Sequence, residues 1–243
     1  MAKYFMRETI LEVICCSVTD AIEAQKGGAG RLEVVRELDR GGLTPPVELV
    51  RAIKNAVDLP LRVMVRESEG YEISSETEVE KLCSAAVEFS SLGVDGLVLG
   101  FLKRKTIDLD RTARVLACAP RLKATFHHAF EDAVHQLQAV SEIKGLPQVD
   151  RILSHGGSGE LEERRQRLDA YAHAAAPEIT IIAGGGIDSR AIELLHRTSA
   201  VREFHVGRAA RRDFRVDGEV RSELVRALVN LATDYADLNN HSV

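Results

Sequence analysis

ITIIAGGGIDS, residues 179–189, holds the pattern that decides the fold. A short run of β-branched and aliphatic residues leads into three glycines and then into Asp188, a residue type that often caps the first turn of a helix. Short apolar runs of this kind are typical of parallel strands that are covered by helices on their outer side. The stretch therefore predicts a strand, a tight turn and a helix, in that order.

The same unit recurs along the whole chain. The predicted strands are 10–15, 31–35, 60–66, 94–99, 122–127, 150–154, 179–183 and 202–207, and amphipathic segments separate them. Eight alternating strands and helices predict a (β/α)8 barrel, the TIM barrel of the α/β class, for which about 250 residues are typical. Since no Pro/Ser-rich linker divides the chain, residues 1–243 are expected to form a single domain.

Cap residues indicate where the helices begin. Thr44 and Pro45 are predicted as the N-cap and first residue of the second helix. Asp110 and Asp188 are predicted as the N-caps of the fourth and seventh helices. The last helix is expected over roughly residues 218–236, with NNHSV as a frayed tail.

Composition and charge argue against several classes of protein. The net charge of -5 disfavours nucleic-acid binding, which needs a concentrated basic face. No apolar stretch approaches the roughly 18 residues of a membrane helix, and no apolar leader precedes the first predicted strand. Four cysteines without a disulfide-like framework are expected as reduced thiols. The sequence therefore predicts a cytoplasmic protein that binds neither nucleic acid nor membrane.

Charged residues interrupt the apolar runs of the predicted strands. Both faces of a strand in a parallel barrel are covered, so such a residue is expected to point into the barrel. A buried carboxylate is costly unless it is paired, which predicts that the charges form one network. The residues concerned are Glu12, Glu33, Arg62, Arg66, His127, Glu203 and His205.

A catalytic cluster is predicted at the C-terminal mouth of the barrel, where active sites of such barrels lie. Its members are Glu12, Glu33, Arg66, His127 and His205. His127 is the favoured residue for proton transfer because imidazole titrates near neutrality. His128 ranks behind it, since adjacent strand residues point to opposite faces, and His155 ranks behind it because it could reach the mouth or only cap the turn after the sixth strand. The alternative is an ion network that only fixes the register of the barrel.

Two long connections, 36–44 and 67–75, are expected to lie over this mouth as substrate-covering loops. They are equally well explained as ordinary solvated loops.

A phosphate-binding loop is predicted after the last two strands. Gly185 and Gly186 precede a helix, and Gly207 is followed by the cationic Arg208. Barrel enzymes often bind phosphate between these two loops and a helix N-terminus. The alternative is that the turns need glycine for steric reasons alone.

Cys15 and Cys16 end the first predicted strand and are the candidate metal ligands. Soft thiolates suit Cu(I), but neighbouring strand residues diverge, and no CxxC or histidine spacing supports a zinc site. Burial as ordinary core cysteines is the competing interpretation.

These motifs together resemble the CutC family of copper-homeostasis proteins. The resemblance covers LEVICCS at 11–17, the block 29–45 that ends in GGLTP, LGVDGLVLGFL at 92–102, TFHHAFED at 125–132, DRILSHGG at 150–157 and IIAGGGI at 181–187. It implies a TIM barrel, a cytoplasmic homo-oligomer (a dimer or tetramer) and a link to copper, with Cu(I) as the implied ligand of the Cys15 and Cys16 thiols. The chain departs from the family pattern at His128, where relatives carry arginine, and at Gly207–Arg208, where small hydroxyl residues are usual.

Three functions are therefore hypotheses. The first is a CutC-like copper-homeostasis protein that binds Cu(I). The second is an isomerase, aldolase or lyase that acts by acid/base chemistry on a small phosphorylated or anionic sugar or polyol, with a divalent metal ion at Glu12, Glu33, His127 and His205 or with none. The third is an interaction scaffold, which would leave the inward charges without a purpose.

Overall fold

The computed structural model describes residues 9–238, with side chains up to residue 233. Eight parallel strands close into a barrel and helices surround it, which confirms the predicted fold class. The barrel strands are β1 (Ile10–Cys15), β2 (Arg31–Val34), β3 (Leu61–Met64), β4 (Gly96–Leu99), β7 (Lys123–Phe126), β8 (Val149–Ser154), β9 (Thr180–Ala183) and β10 (Glu203–Val206). A small antiparallel hairpin, β5 (Leu102–Lys103) and β6 (Thr106–Ile107), follows β4 and was not predicted.

The helices form the outer layer. They are α1 (Val18–Gly27), α2 (Val47–Ala56), α3 (Glu76–Leu92), α4 (Leu109–Ala117), α5 (Gln136–Ile143), α6 (Leu161–Ala175), α7 (Ser189–Thr198) and α8 (Ser222–Leu238). In the closed ring β10 lies beside β1, and α8 packs against α1 and α7. The helices of the described residues are all too short or too polar to span a lipid bilayer.

The predicted start of α2 is wrong. The helix begins at Val47, with Pro46 as its N-cap, instead of with Thr44 and Pro45. The hydroxyl of Thr44 is used elsewhere, because it accepts the backbone N–H of Arg66 at 2.9 Å. Thr44 therefore ties the loop after β2 to the end of β3.

Other helix boundaries are partly as predicted. Asp188 caps α7 by accepting the backbone N–H of Ala191, as expected. Asp110 lies inside α4, whose N-cap is Asp108. The last helix begins at Ser222, four residues later than predicted. The NNHSV tail lies outside the described residues.

Alternation along β1 separates two cores. Val13 and Cys15 pack with the helices in the large outer core, whereas Glu12 and Ile14 point into the barrel. Inside the barrel, an inner apolar cluster consists of Ile14, Val35, Met64 and Val98. Many of the other buried side chains that point into the barrel are polar or charged, among them Glu12, Glu33 and His205. Ionisable groups therefore share the barrel interior with this apolar cluster.

Candidate active site

A cavity of about 390 Å³ lies at the C-terminal ends of the barrel strands. Small-molecule pockets are roughly 300–1,000 Å³, so its size suits a small ligand. The lining residues are Ile14, Glu33, Leu38, Gly41, Met64, Arg66, Tyr71, His127, His128, Leu153, Gly185, Gly186, Ile187, His205, Gly207, Arg208, Ala209 and Val216. The cavity thus brings together every predicted catalytic and anion-binding residue except Glu12, and it excludes Cys15 and Cys16.

His205 lies between two carboxylates. The pairing of β1 with β10 sets Glu12 beside His205, and the Nδ1 of His205 lies 2.7 Å from Glu12 Oε1. The Nε2 of the same ring lies 3.6 Å from Glu33 Oε2. The ring of His205 therefore lies between Glu12 and Glu33, and both His205 and Glu33 line the cavity.

The two carboxylates have opposite electrostatic environments. Burial opposes ionisation of Glu12, but Arg31 and His205 together hold its pKa well below the ordinary value. Burial, aided by the charge of Glu12, raises the pKa of Glu33 to about 7. Burial disfavours the charged ring of His205, yet Glu33 and Glu12 outweigh it and raise the pKa of that histidine. At neutral pH Glu12 is therefore ionised, the charged form of His205 is favoured by its two carboxylate neighbours, and Glu33 is poised to gain or lose a proton.

An ion network continues below Glu12 toward the other end of the barrel. Arg31 donates to Glu12 and, at 2.7 Å, to Glu203. Arg151 donates to Glu203 at 2.8 Å, and Arg62 donates to Asp150 at 2.9 Å. The predicted pairing of buried charges is confirmed for these groups. Their partners Arg31 and Arg151 were missed, although both stand in predicted strands.

His127 does not have the environment that the sequence suggested. Burial lowers its pKa well below the ordinary value, so the ring is neutral at physiological pH. Its Nδ1 accepts the backbone N–H of Ala129 at 3.2 Å, which assigns the ring proton to Nε2. His127 is therefore a neutral hydrogen-bond donor, whereas Glu33 is a cavity group whose pKa is raised to about 7.

His128 lines the cavity together with His127, contrary to the expectation that only one of the two would. The alternation argument fails because β7 ends at Phe126, and a short 3-10 turn from His128 to Asp132 redirects the chain. Burial lowers the pKa of His128 to about 3. His155 stands next to it, with ring centroids 5.7 Å apart, but is not part of the cavity wall.

Arg66 connects the two long loops predicted to lie over the mouth. Its guanidinium donates to the carbonyls of Gly41 and Gly42 in the first loop and of Ser68 and Glu69 in the second. Four of its five N–H groups are therefore committed to backbone oxygens. Arg66 fixes the loops that cover the cavity and keeps one N–H for a ligand.

The glycine turn after β9 presents free donors. The backbone N–H groups of Gly185, Gly186 and Ile187 find no acceptor among the described residues. Gly185 and Gly186 have φ of +67° and +79°, a conformation that favours glycine. The guanidinium of Arg208 also lacks a partner within the described chain, and it faces the same cavity. These groups have the chemistry of an anion site.

The two neighbouring thiols diverge. Cys15 is fully buried in the outer core, whereas Cys16 is half-buried against the inner apolar cluster. Burial raises the pKa of Cys15 well above its ordinary value and that of Cys16 to about 11. Both thiols are therefore protonated at neutral pH, and they do not form a chelating pair.

Metal-binding donors are not assembled in the cavity. Across residues 9–233, no three His, Cys, Asp or Glu side chains are grouped so as to hold a metal ion. Glu12 and His205 already satisfy each other and Arg31. The donor set proposed for a divalent ion therefore does not fit that role.

Two residues of the site were missed by the sequence interpretation. Tyr71 lines the cavity, with its ring centroid 5.2 Å from that of His127 and 5.0 Å from the Arg66 guanidinium carbon. Glu131 accepts from the Ser154 hydroxyl at 2.5 Å and from the His155 backbone N–H at 2.6 Å, which fixes the loop after β8. The position of Tyr71 in the loop 67–75, which was predicted to lie over the mouth, could have indicated its role. No feature of the local sequence indicated the role of Glu131.

A closed eight-stranded barrel that gathers titratable side chains and a glycine turn at its C-terminal mouth defines a TIM-barrel protein with a small-molecule site. The sequence pattern of the CutC family matches residues 9–210. The chain belongs to the CutC family.

Individual relatives agree with this assignment. The human copper homeostasis protein cutC homolog is 32% identical over 84% of this chain and 75% of its own length. The family protein CutC of Xylella fastidiosa (strain Temecula1 / ATCC 700964) is 33% identical over 80% of this chain and 73% of its own. The crystal structure of the putative copper homeostasis protein CutC from Streptococcus agalactiae superposes with a TM-score of 0.76 at 24% identity, covering 81% of this chain and 97% of that one. The last comparison supports the fold.

Proposed function

We propose that this CutC-family barrel is an enzyme that moves a proton on a small anionic sugar or polyol. The observation that carries the proposal is Glu33, a buried carboxyl at the wall of the cavity at the barrel mouth, poised between its two protonation states near neutral pH. An acid/base group works best when its pKa lies near the working pH. Isomerisation, aldol cleavage and elimination all begin with such a proton transfer.

The surroundings of Glu33 support this role. The ring of His205, which lies 2.7 Å from Glu12, stands 3.6 Å from the Glu33 carboxylate. The charged form of this ring favours the ionised form of Glu33, and the distance leaves that carboxylate without a short hydrogen bond. Glu33 therefore keeps a lone pair for a substrate, while the network beneath it stays charged.

The substrate is expected to carry a phosphate or carboxylate. The free N–H groups of the glycine turn and the guanidinium of Arg208 border the same cavity as Glu33. Backbone donors at a helix N-terminus and an arginine together form a favourable site for an anion.

Ligand binding tests the anion site. Thermal-shift and calorimetric titrations with inorganic phosphate and a panel of phosphorylated and carboxylated sugars and polyols are expected to show binding that Arg208→Ala weakens. Arg212→Ala is the matched control, since that arginine is paired with Glu219 at the surface. Turnover of the bound compound, followed by NMR, should disappear in Glu33→Gln. A crystal grown in sulfate without an ion between Gly185 and Gly207, together with no binding in solution, contradicts the proposal.

Copper binding is the second candidate, favoured by the names of the relatives and by Cys16. This thiol and the Met64 thioether, both soft donors, belong to the inner apolar cluster and its immediate neighbours. Anaerobic Cu(I) titration should then show a site that Cys16→Ala removes and Cys15→Ala retains. Equal weak binding by all three proteins would remove this candidate.

We also expect, from the family resemblance and the free thiols, a homo-oligomer located in the cytoplasm. Cell fractionation and light scattering of the purified protein test these two expectations.

A further inference from the structure

Three buried polar atoms of cavity-lining residues lack hydrogen-bond partners within the described chain, namely Nε2 of His127, Oε1 of Glu33 and Nδ1 of His128, and the first two carry the argument. Both His127 and Glu33 line the cavity, and each is only 3% exposed. Buried polar atoms in proteins are nearly always bonded, so these two indicate where a bound molecule has to supply partners.

The two atoms require opposite partners. The neutral ring of His127 carries its proton on Nε2, because Nδ1 is used to accept from Ala129. His127 therefore needs an oxygen acceptor from the ligand. The ionised Glu33 needs a donor, which is either a hydroxyl or an acidic C–H. A carbonyl with a hydroxyl on the neighbouring carbon offers both within one short unit.

The neutral charge state of His127 restricts the kinds of reaction that this pair of residues can support. A neutral imidazole N–H that is held in place polarises a carbonyl and stabilises the negative oxygen that forms from it, without first giving up its proton. A carboxylate with a pKa near neutrality is matched to remove the proton from the carbon next to that carbonyl. His127 and Glu33 thus provide the two groups that enolisation requires.

On the basis of the proposed function, we propose that the substrate is a phosphorylated α-hydroxy ketone or α-hydroxy aldehyde, and that it reacts through an enediolate. The phosphate lies at the turn 185–187 and Arg208, the carbonyl oxygen receives the N–H of His127, and the adjacent carbon faces Glu33.

The reaction balances without a further reactant. Glu33 takes the C–H proton, the electron pair forms the carbon–carbon double bond, and the charge moves to the carbonyl oxygen beside His127. The hydroxyl proton then passes between the two oxygens, and Glu33 returns its proton to the neighbouring carbon. The products are the isomeric carbonyl compound and the original enzyme.

Hydrogen exchange tests this reaction whichever isomer is formed. The wild-type protein is incubated in D2O with dihydroxyacetone phosphate, ribulose 5-phosphate or fructose 6-phosphate, and ¹H NMR follows loss of the C–H signal next to the carbonyl. Exchange is expected with at least one probe, and Glu33→Gln should slow it by about 100-fold or more. His127→Gln, which keeps an N–H donor, should retain more exchange than His127→Ala. His173→Ala, an exposed histidine on α6, is the matched control.

Binding separates this inference from the proposed function. Phosphoglycolohydroxamate, which imitates an enediolate, should bind more tightly than glycerol 3-phosphate, and the exposed control His173→Ala should leave both affinities unchanged. No exchange with any probe and equal binding of the two compounds overturn the enediolate inference, even where phosphate binding still depends on Arg208. Absence of any Arg208-dependent anion binding overturns the proposed function as well.

Discussion

Glu12 and Glu33 are both buried, and both approach the ring of His205, yet their protonation is opposite. Glu12 also receives Arg31, which compensates its burial and keeps it ionised. Glu33 has no arginine hydrogen-bonded to it within the described chain and is half-protonated near pH 7. Pairs of titratable groups whose environments separate their pKa values are a common mark of acid/base sites.

Glu33 is expected to titrate near pH 7. In ¹³C NMR of protein labelled at the glutamate carboxyl carbons, one resonance should shift through neutrality, far above the ordinary glutamate range. Because His205 is linked to Glu33, the midpoint belongs to the pair. The resonance should be absent from Glu33→Gln. A wild-type spectrum in which every glutamate titrates below pH 5.5 contradicts the environment described for this carboxyl.

Arg31 is expected to be important for stability. Replacement by Met leaves Glu12 and Glu203 buried without their shared partner, and breaking a buried pair in this way costs about 3–5 kcal/mol. Arg212→Met breaks only an exposed pair with Glu219 and should change stability by less than about 1 kcal/mol. Urea unfolding of both variants gives the comparison. Similar losses would show that the interior network adds little to stability.

At the scale of elements, the connections after the strands, more than the strands themselves, shape the cavity. The guanidinium of Arg66 joins the loops after β2 and β3 through backbone carbonyls, and Arg40, bonded to Glu69, joins them a second time. The turn after β9 leaves its N–H groups free because glycines take positive φ there. The scaffold and the recognition surface are therefore encoded by different segments.

The glycines of that turn should differ in their tolerance of alanine. A Cβ at Gly185 would stand 2.6 Å from the Cβ of His155, whereas a Cβ at Gly186 would meet nothing within 4 Å. Gly186→Ala should cost only the left-handed backbone strain, about 1–2 kcal/mol. Gly185→Ala should cost this strain and about 1–3 kcal/mol more for the overlap. Denaturant unfolding of the two variants measures the difference, and equal costs would contradict the packing against His155.

At the scale of the whole molecule, alternation of apolar runs and helices was sufficient to predict the barrel. Each predicted strand overlaps an observed one, because strands covered on both sides must be apolar and short. The site was predicted less completely. Strand alternation gave the direction of Glu33 and His205, but it failed at His128, where the strand stops one residue earlier than assumed. Hydrogen bonds that depend on pairing between distant segments, such as Arg31 to Glu203, have no local signal.

The buried neutral histidines lower stability in mild acid, against the opposite contribution of Glu33, whose pKa is raised to about 7. Burial gives His128 a pKa of about 3 when folded, against an ordinary value when unfolded, and the side chains of His205, His155 and Arg66 face its ring. As pH falls below about 6.5, the histidine of the unfolded chain binds a proton, whereas the buried ring of the folded protein stays neutral. For each such group, this difference lowers the free energy of unfolding by up to about 1.4 kcal/mol per pH unit. Above that pH this contribution to stability is fully present.

Urea unfolding at pH 5 and pH 7.5 is therefore expected to show a more unfavourable stability change on acidification in the wild type than in His128→Asn. His128→Asn removes one of the responsible rings and should lose less stability over the same interval. His173→Ala, which changes an exposed histidine, should behave like the wild type. An identical acid response in His128→Asn would contradict the burial of a neutral ring at this position.

The contact between Glu12 and His205 joins positions that are 193 residues apart, in the first and the last strand of the ring. During translation the Glu12 carboxylate emerges from the ribosome 193 residues before the imidazole that it contacts. A nascent chain that stops just before His205 already contains Glu33, His127 and the glycine turn. It lacks the imidazole that lies beside Glu33 and shifts the pKa of that carboxyl.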